Sequence, residues 1–379
     1  MTTPPRVLLL AERMVVGGAE RHFLQKATFL KSFGCHVVVA SSGGPLEEEL
    51  YRRGIAHCRI RSDVARPLTL VDMHADLRQL AGIIRREGIQ VINCMAGMPF
   101  VIASAIWEFT QIPVAYEVLS PYYCVQAEWS AVLRRHVEHC GCFYATSATD
   151  AANQCEVCGL EADAARIIPL SVDTTRFHPA AGREMRACLG LADDGRPVVM
   201  TASRLAPEKQ ASIEALLEAS ARLKGAHQLL VVGDGPSRPA IEARAREVGV
   251  AAVFTGQRDD MPDLYNAADI FVGMGMTAQE AAACGKPVVL TNLSQGTDRQ
   301  SVGYWGDDAG TEFGNGTPYP GCRLYSIGEL LAPLLADAER RAALGERGRS
   351  AILARFAAEE VNRLWYEEIA RLASISAKG

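Results

Sequence analysis

Residues 270–290 read IFVGMGMTAQEAAACGKPVVL. An apolar run, IFVG, ends in a glycine turn. A short helical stretch follows, Cys284-Gly285-Lys286-Pro287 stops it, and a second apolar run, PVVL, begins. Strand, turn, helix, turn and strand in so short a span is the repeat unit of a parallel sheet, because parallel neighbours need a crossover between them, usually helical. The helical stretch carries a single acid, Glu280, and no charged partner for it.

The same alternation extends in both directions. Upstream, PVVMTAS (197–203) precedes the helical EKQASIEALLEASARLKG (208–225), QLLVVGDG (228–235) precedes SRPAIEARAREVG (237–249), and AVFTG (252–256) precedes DDMPDLYNAAD (259–269). Downstream, LLAPLLADAERRAALGERGRSAILARF (330–356) and AAEEVNRLWYEEIARLAS (357–374) read as closing helices. Nearer the N-terminus, RVLLLAE, HVVVASS, VINCM, PVAYEVL and FYATS read as strands, with helices over 17–34, 45–54 and 72–88. The alternation loosens over 167–197, where prolines and an Asp-Asp-Gly turn mark a candidate linker. The fold class expected is α/β, with two doubly wound parallel-sheet domains in tandem. In such sheets ligands bind outside the carboxyl ends of the strands.

With 379 residues, 49% hydrophobic, the chain is long enough for two domains with a core each. A net charge of −5, without a dense run of Lys and Arg, argues against nucleic-acid binding. MTTPPRVLLLAE (1–12) has too short an apolar run for a signal peptide, and no uninterrupted apolar stretch is long enough to span a bilayer. A cytoplasmic protein is expected. Most of the eleven cysteines sit in apolar segments and are expected to be buried thiols. Cys155-Glu-Val-Cys158, with His136, His139, Cys140 and Cys142 upstream, has some zinc-like spacing, but Cys140-Gly-Cys142 is an awkward first pair. No metal site is expected.

Four strand-to-helix junctions carry residues suited to a ligand. Gly17 and Gly18 follow the first strand and open a helix, which suits either an anion or a plain tight turn. Arg204 and Lys209 leave the strand PVVMTA around Pro207. A guanidinium fork and an ammonium both suit a diphosphate, although Glu208 also offers them an ordinary surface partner. Gly233 (in Gly-Asp-Gly-Pro) and Gly256 with Arg258 form loops whose backbone would reach a planar base, or simple turns. In the opening stretch, Gly273 and Gly275 permit positive φ, and Thr277 is placed to cap the helix. The backbone of Met274–Thr277, Met276 included, would face the ligand, and Glu280 would accept from a vicinal diol such as a ribose.

Segments GGAERHFLQKATFLKSFG, IIPLSVDTTRFHP, SRLAPEK, LLVVGDGPSR, FTGQRDDMPDLYNAADIFV and EAAACGKPVV, in this order, resemble the family-4 (GT4) retaining glycosyltransferases of the GT-B fold. The resemblance is dense over 167–290 and sparser over 35–165. It implies two Rossmann-like domains facing a cleft: an acceptor domain over 1–168, a donor domain over 169–355 and a helix over 356–379 returning to the first. It implies that Arg204 and Lys209 hold the donor diphosphate and neutralise the leaving group, that Gly17 and Gly18 close over the phosphates, that Gly256 and Arg258 flank the base, and that Glu280 holds the ribose. It implies a nucleotide-sugar co-substrate, expected to be a UDP-sugar, with no cofactor and no metal, since the two cations do the work of a divalent ion.

Two positions depart from the family pattern. The first acid of its Glu-x7-Glu motif falls on Val272, so backbone N–H groups of Met274–Thr277 are expected to replace it. The usual histidine at the end of the strand PVAYEVLS falls on Leu119. Glu117 and Ser120 nearby are the candidates for acceptor recognition, Glu117 either facing the cleft or capping the next turn. The acceptor, whether a small molecule, lipid-linked or a glycan, is not legible. Residues 121–129 (PYYCVQAEW) are a candidate pocket or lid, and 295–322 a long glycine-rich loop. The resemblance leaves peripheral membrane contact by the first domain open, but the helix RHFLQKATFLKSFG carries few cations for it. The rival readings are a GT-B sugar-nucleotide epimerase, against which SRLAPEK argues, and a nucleotide-sugar-binding protein without activity, which Leu119 and Val272 favour.

Overall fold

The structure is a computed structural model that describes residues 3–61, 69–95, 97–119, 130–140, 143–161, 163–292, 300–306 and 322–376. Its elements run β1 (Arg6–Leu10), α1 (Gly18–Ser32), β2 (His36–Ser41), α2 (Glu47–Arg52), β3 (Ala56–Arg59), α3 (Leu70–Glu87), β4 (Val91–Met95), α4 (Met98–Thr110), β5 (Val114–Val118), α5 (Ser130–Cys140), β6 (Phe143–Ala145), α6 (Ala148–Cys158) and β7 (Ala165–Ile167). They continue through α7 (Arg183–Cys188), β8 (Val198–Ala202), α8 (Pro207–Arg222), β9 (Gln228–Val232), α9 (Arg238–Glu247), β10 (Ala252–Phe254), α10 (Met261–Ala267), β11 (Ile270–Gly273), α11 (Met276–Ala283), β12 (Val288–Thr291), β13 (Ser301–Tyr304), α12 (Ile327–Ala336), α13 (Ala338–Arg355) and α14 (Ala358–Ser376).

The chain divides into two units, Met1–Ser171 with Glu359–Gly379, and Val172–Ala358. In the first, a parallel sheet has the order β3-β2-β1-β4-β5-β6-β7. Its central strands are apolar on both faces, as a sheet covered on both sides requires. Successive side chains alternate across the sheet. Leu8 and Leu10 enter a core with Ile92, Val114 and Tyr116, under α3 and α4. Val7 and Leu9 enter the opposite core with Phe23, Leu30, Val361 and Trp365, under α1 and α14.

In the second unit the order is β10-β9-β8-β11-β12-β13. All its pairings are parallel except β12 with β13. Its faces divide the same way. Val198, Met200 and Ala202 pack with Tyr265, Phe271 and the alanines of α11, whereas Val199 packs with Leu216, Ile241, Val272 and Leu331.

Several elements differ from the expectation. The candidate linker over 167–197 contains helix α7, and within it the chain passes from one unit to the other. The segment expected as a loop over 295–322 contains strand β13, a central part of the sheet's antiparallel edge. Residues 295–299 and 307–321 of that segment lie outside the described residues. The single helix expected over 330–356 is two, because Asp337 caps a new start: its side chain accepts from the Arg340 N–H at 2.9 Å. Residues 121–129 lie outside the described residues. No helix among the described residues is long and apolar enough to cross a membrane.

Candidate functional site

In the second unit, the loops leaving β8, β9, β10 and β11 emerge at the carboxyl ends of parallel strands, and hydrogen bonds tie them to one another. Leu205 N donates to the Asp234 carbonyl at 2.9 Å, and Ser237 N returns to the Leu205 carbonyl at 2.9 Å. Gly233 N donates to the Gly256 carbonyl at 2.9 Å. The approach of the β8 and β9 loops requires glycine: Gly233 has φ of +127°, and a Cβ there would lie 1.9 Å from the Ser203 carbonyl oxygen. The cation loop, the Gly-Asp-Gly turn and the Gly256 turn are therefore one locked surface.

Lys209 joins the fourth loop to it. It lies in the first turn of α8, which Pro207 opens at a position where no N–H is lost. Its Nζ donates to the Met274 thioether at 2.9 Å. Burial pulls the ammonium down to about 8, against the pull of Glu208. A thioether is a weak acceptor, so this half-buried cation is poorly matched by its described partner. Arg204 is more exposed and pairs with Glu208 at 2.9 Å. Arg258 pairs with Asp260 across a bidentate contact, its guanidinium raised chiefly by that bond.

The turn of the opening stretch is built differently from the expectation. Gly275 has φ of +68° and is the N-cap of α11, but Gly273 is not left-handed. Gly273 is needed for space, since a Cβ would lie 2.7 Å from the Phe271 ring. Thr277 is not the cap: its hydroxyl donates back to the Met274 carbonyl at 3.0 Å. Val272 faces the core, packed with Val231, Ile270 and Val289, because strand alternation directs it away from Phe271. Glu280 is half-buried on α11 and accepts from the Tyr265 hydroxyl at 2.8 Å. Tyr265 did not stand out in the sequence. The signal was an aromatic residue carrying a hydroxyl within the buried face of a short helix, and such a hydroxyl needs a partner.

In the first unit, Gly17 caps α1 with extended backbone (φ −156°), and Gly18 begins the helix. The expectation for Glu117 is corrected. Strand alternation puts Glu117 with Ala115 on the α1 side of the sheet, where it is 1% exposed. Lys26 Nζ bonds it, and His22 Nε2 lies 2.7 Å from its second oxygen. Lys26 also donates to Asn93 Oδ1 at 2.8 Å and sits 3.8 Å from the centre of a Trp365 ring. Burial alone would raise the Glu117 carboxyl, but Lys26 first and His22 second outweigh it and hold it at about 2. Burial lowers both His22 and Lys26, opposed in each by Glu117. Glu117 is thus an enclosed structural anion, not an acceptor contact. Its partners were legible only as His22 and Lys26 lying at i, i+4 on the apolar stripe of α1. Leu119 is buried, and Ser120 lies outside the described residues.

Among the described residues, no group of three or more His, Cys, Asp or Glu side chains could hold a metal ion. His136 is packed against Trp107 and Phe100 and bonded to the Val132 carbonyl, and Cys155 and Cys158 are buried free thiols.

The described Glycosyltransferase Family 4 model matches residues 16–176, and the Glycosyl transferases group 1 model matches 196–306. A GDP-mannose-dependent alpha-(1-6)-phosphatidylinositol monomannoside mannosyltransferase of Mycolicibacterium smegmatis is 34% identical over 203 residues, 48% of this chain and 50% of the relative. A D-inositol 3-phosphate glycosyltransferase of Mycobacterium bovis is 36% identical over 146 residues, 34% of this chain and 29% of the relative. The chain thus spans about half the length, or less, of the curated relatives it matches. The structure of Anabaena Alr3699/HepE in complex with UDP-glucose superposes with a TM-score of 0.74 over 96% of this chain and 99% of that one, at 20% identity, and shows a shared fold, GT-B. A glycosyltransferase model thus matches part of each unit, the family 4 model in the first and the group 1 model in the second.

Proposed function

We propose that the chain transfers a hexose from a nucleoside-diphosphate sugar to an acceptor of the lipid-linked or glycan class, with retention and without a divalent metal. The observation that carries this reading is the half-buried Lys209 ammonium, matched by little more than a thioether, on a surface where four strand-end loops are locked together. Such a cation is incomplete until an anion arrives. A diphosphate supplies one, and Arg204 would exchange Glu208 for a phosphate oxygen at small cost, since exposed i, i+4 pairs contribute only about 0.3–0.5 kcal/mol.

The residues then have distinct tasks. Lys209 and Arg204 stabilise the charge that develops on the diphosphate as the sugar–phosphate bond breaks, an effect that commonly dominates catalysis. The departing phosphate oxygen takes the acceptor proton, so no protein base is required. The backbone of Met274, Gly275, Met276 and Thr277 faces the sugar where Val272 offers no carboxylate. Gly256 and Arg258 border the base, Glu280 accepts from the ribose hydroxyls, and Gly17 and Gly18 approach the phosphates.

The relatives' names favour GDP-mannose as donor, whereas the sequence reading expected a UDP-sugar. Calorimetric titration with GDP and UDP, followed by a mass-spectrometric screen of GDP-mannose and UDP-glucose against lipid and glycan acceptors, tests the reading. Binding of one nucleotide and a new glycosylated product support it. Absence of binding by either nucleotide refutes it. Binding with neither transfer nor slow donor hydrolysis establishes the inactive-binder alternative, and an epimerised sugar from donor alone establishes the epimerase.

A further inference from the structure

Tyr265 occupies a place that the proposed chemistry has not yet used. It lies on α10, 0% exposed, its ring edge-on to Phe271 and Phe177 at 5.6 and 6.0 Å between centroids. Those rings fix the phenol so that its hydroxyl reaches across to α11 and donates to Glu280 Oε2 at 2.8 Å. Resting on the proposed nucleotide-sugar site, we infer that Tyr265 is a positioning residue that holds the Glu280 carboxylate in the plane needed to grip both ribose hydroxyls.

A carboxylate on a short helix turns about its own bonds. A bidentate grip on a vicinal diol needs one orientation, and holding it costs side-chain entropy at the moment of binding. A charge-assisted bond from a buried, ring-clamped hydroxyl fixes that orientation in advance. It does so without blocking the ligand, because each carboxylate oxygen accepts at two lone-pair positions. Burial first, and the Glu280 charge second, push the phenol well above its ordinary range, so it remains a donor at any working pH. The device is local to the second unit: both residues lie within Val172–Ala358.

The alternative is that the bond only fastens α10 to α11. The two roles separate on the ligand. Titrations compare wild type, Tyr265→Phe, Glu280→Ala and the double variant against a nucleoside diphosphate (GDP or UDP, whichever binds wild type more tightly) and its 2′,3′-dideoxy form. For Tyr265→Phe we expect affinity for the ribonucleotide to fall on the order of tenfold. Affinity for the dideoxy form should stay within about twofold, and the double variant should be no weaker than Glu280→Ala alone. Equal losses on both ligands, or no loss on either, overturn the inference. Should Tyr265→Phe not accumulate as folded protein, Tyr265→Met, which fills the gap with an unbranched chain, is read the same way. If wild type binds the ribonucleotide but Tyr265→Phe does not discriminate, only this inference falls. If wild type binds neither nucleotide, the functional reading falls with it.

Discussion

Each unit encloses a lysine on the helix that follows its first strand, and the two are treated oppositely. Lys26 of the first unit is 0% exposed and meets a carboxylate, an amide oxygen and an indole face. Lys209 of the second is half-buried against a thioether, with the neighbouring Glu208 already paired with Arg204. A buried cation with a full set of partners is part of the architecture. A half-buried cation with a poor set is a place prepared for an anion. The desolvation cost is met within the fold in the first case and left for a ligand to offset in the second.

Breaking the Lys26 side of this contrast should have the largest effect. Lys26→Met leaves the buried Glu117 carboxylate with only His22 beside it to offset its charge and is expected to cost about 3–5 kcal/mol of stability. Lys26→Met with Glu117→Leu should recover most of that. Chemical denaturation measures both, and nucleotide affinity per folded molecule should not change in either. A weaker nucleotide response from the double variant would contradict the separation of roles. Breaking the Lys209 side should do the reverse. Lys209→Ala is expected to lower turnover by about 10²–10³-fold, with thermal stability equal to or above that of wild type, because a poorly matched half-buried charge has been removed.

Titration sharpens the comparison. Lys209 is cationic below about pH 8 and loses its proton above it, so affinity for the nucleoside diphosphate should fall as pH rises past 8, by up to about tenfold per pH unit. Lys209→Arg should flatten that limb, since a guanidinium stays charged. The smallest effect belongs to Glu117. Its folded carboxyl lies at about 2, below the ordinary value near 4.3, so the stability it contributes is complete above that ordinary value and is lost as pH falls through the folded one. By pH 4 this amounts to roughly 0.5–1 kcal/mol, read as a shallower acid limb in the Lys26→Met, Glu117→Leu double variant.

The parallel sheets were legible because apolar strands and helical crossovers repeat at regular intervals, and the glycines of the second unit were legible because turns at strand ends recur in order. What escaped were features set by distant partners. Glu117 stands on a strand, and the sequence does not say which face it occupies. The answer depends on His22 and Lys26 reaching it across some ninety residues of chain. Helix α4 (MPFVIASAIWEFT) is apolar nearly all round, so it lacks the periodicity that would announce a helix. Strand β13 hides in a glycine-rich segment because an antiparallel edge tolerates Ser301 and Gly303, which form no apolar run. Thr277 looked like a cap because threonine caps well, but positive φ at Gly275 ends the turn one step earlier.

The first unit is sewn shut by the chain's last helix. Val361, Trp365, Ile369 and Leu372 of α14 complete the core begun by Val7 and Leu9, and Glu368 joins Tyr144 and Arg371 beside it. On a ribosome, where residues emerge in order, that core stays open until about residue 373 has been made. The second unit, by contrast, has all its residues in hand by 358. The order of synthesis and the order of completion are therefore reversed: the half that is born first is finished last. A nascent chain halted near 358 should present a protease-resistant second unit beside an exposed apolar groove under α1, which is the state a chaperone would meet.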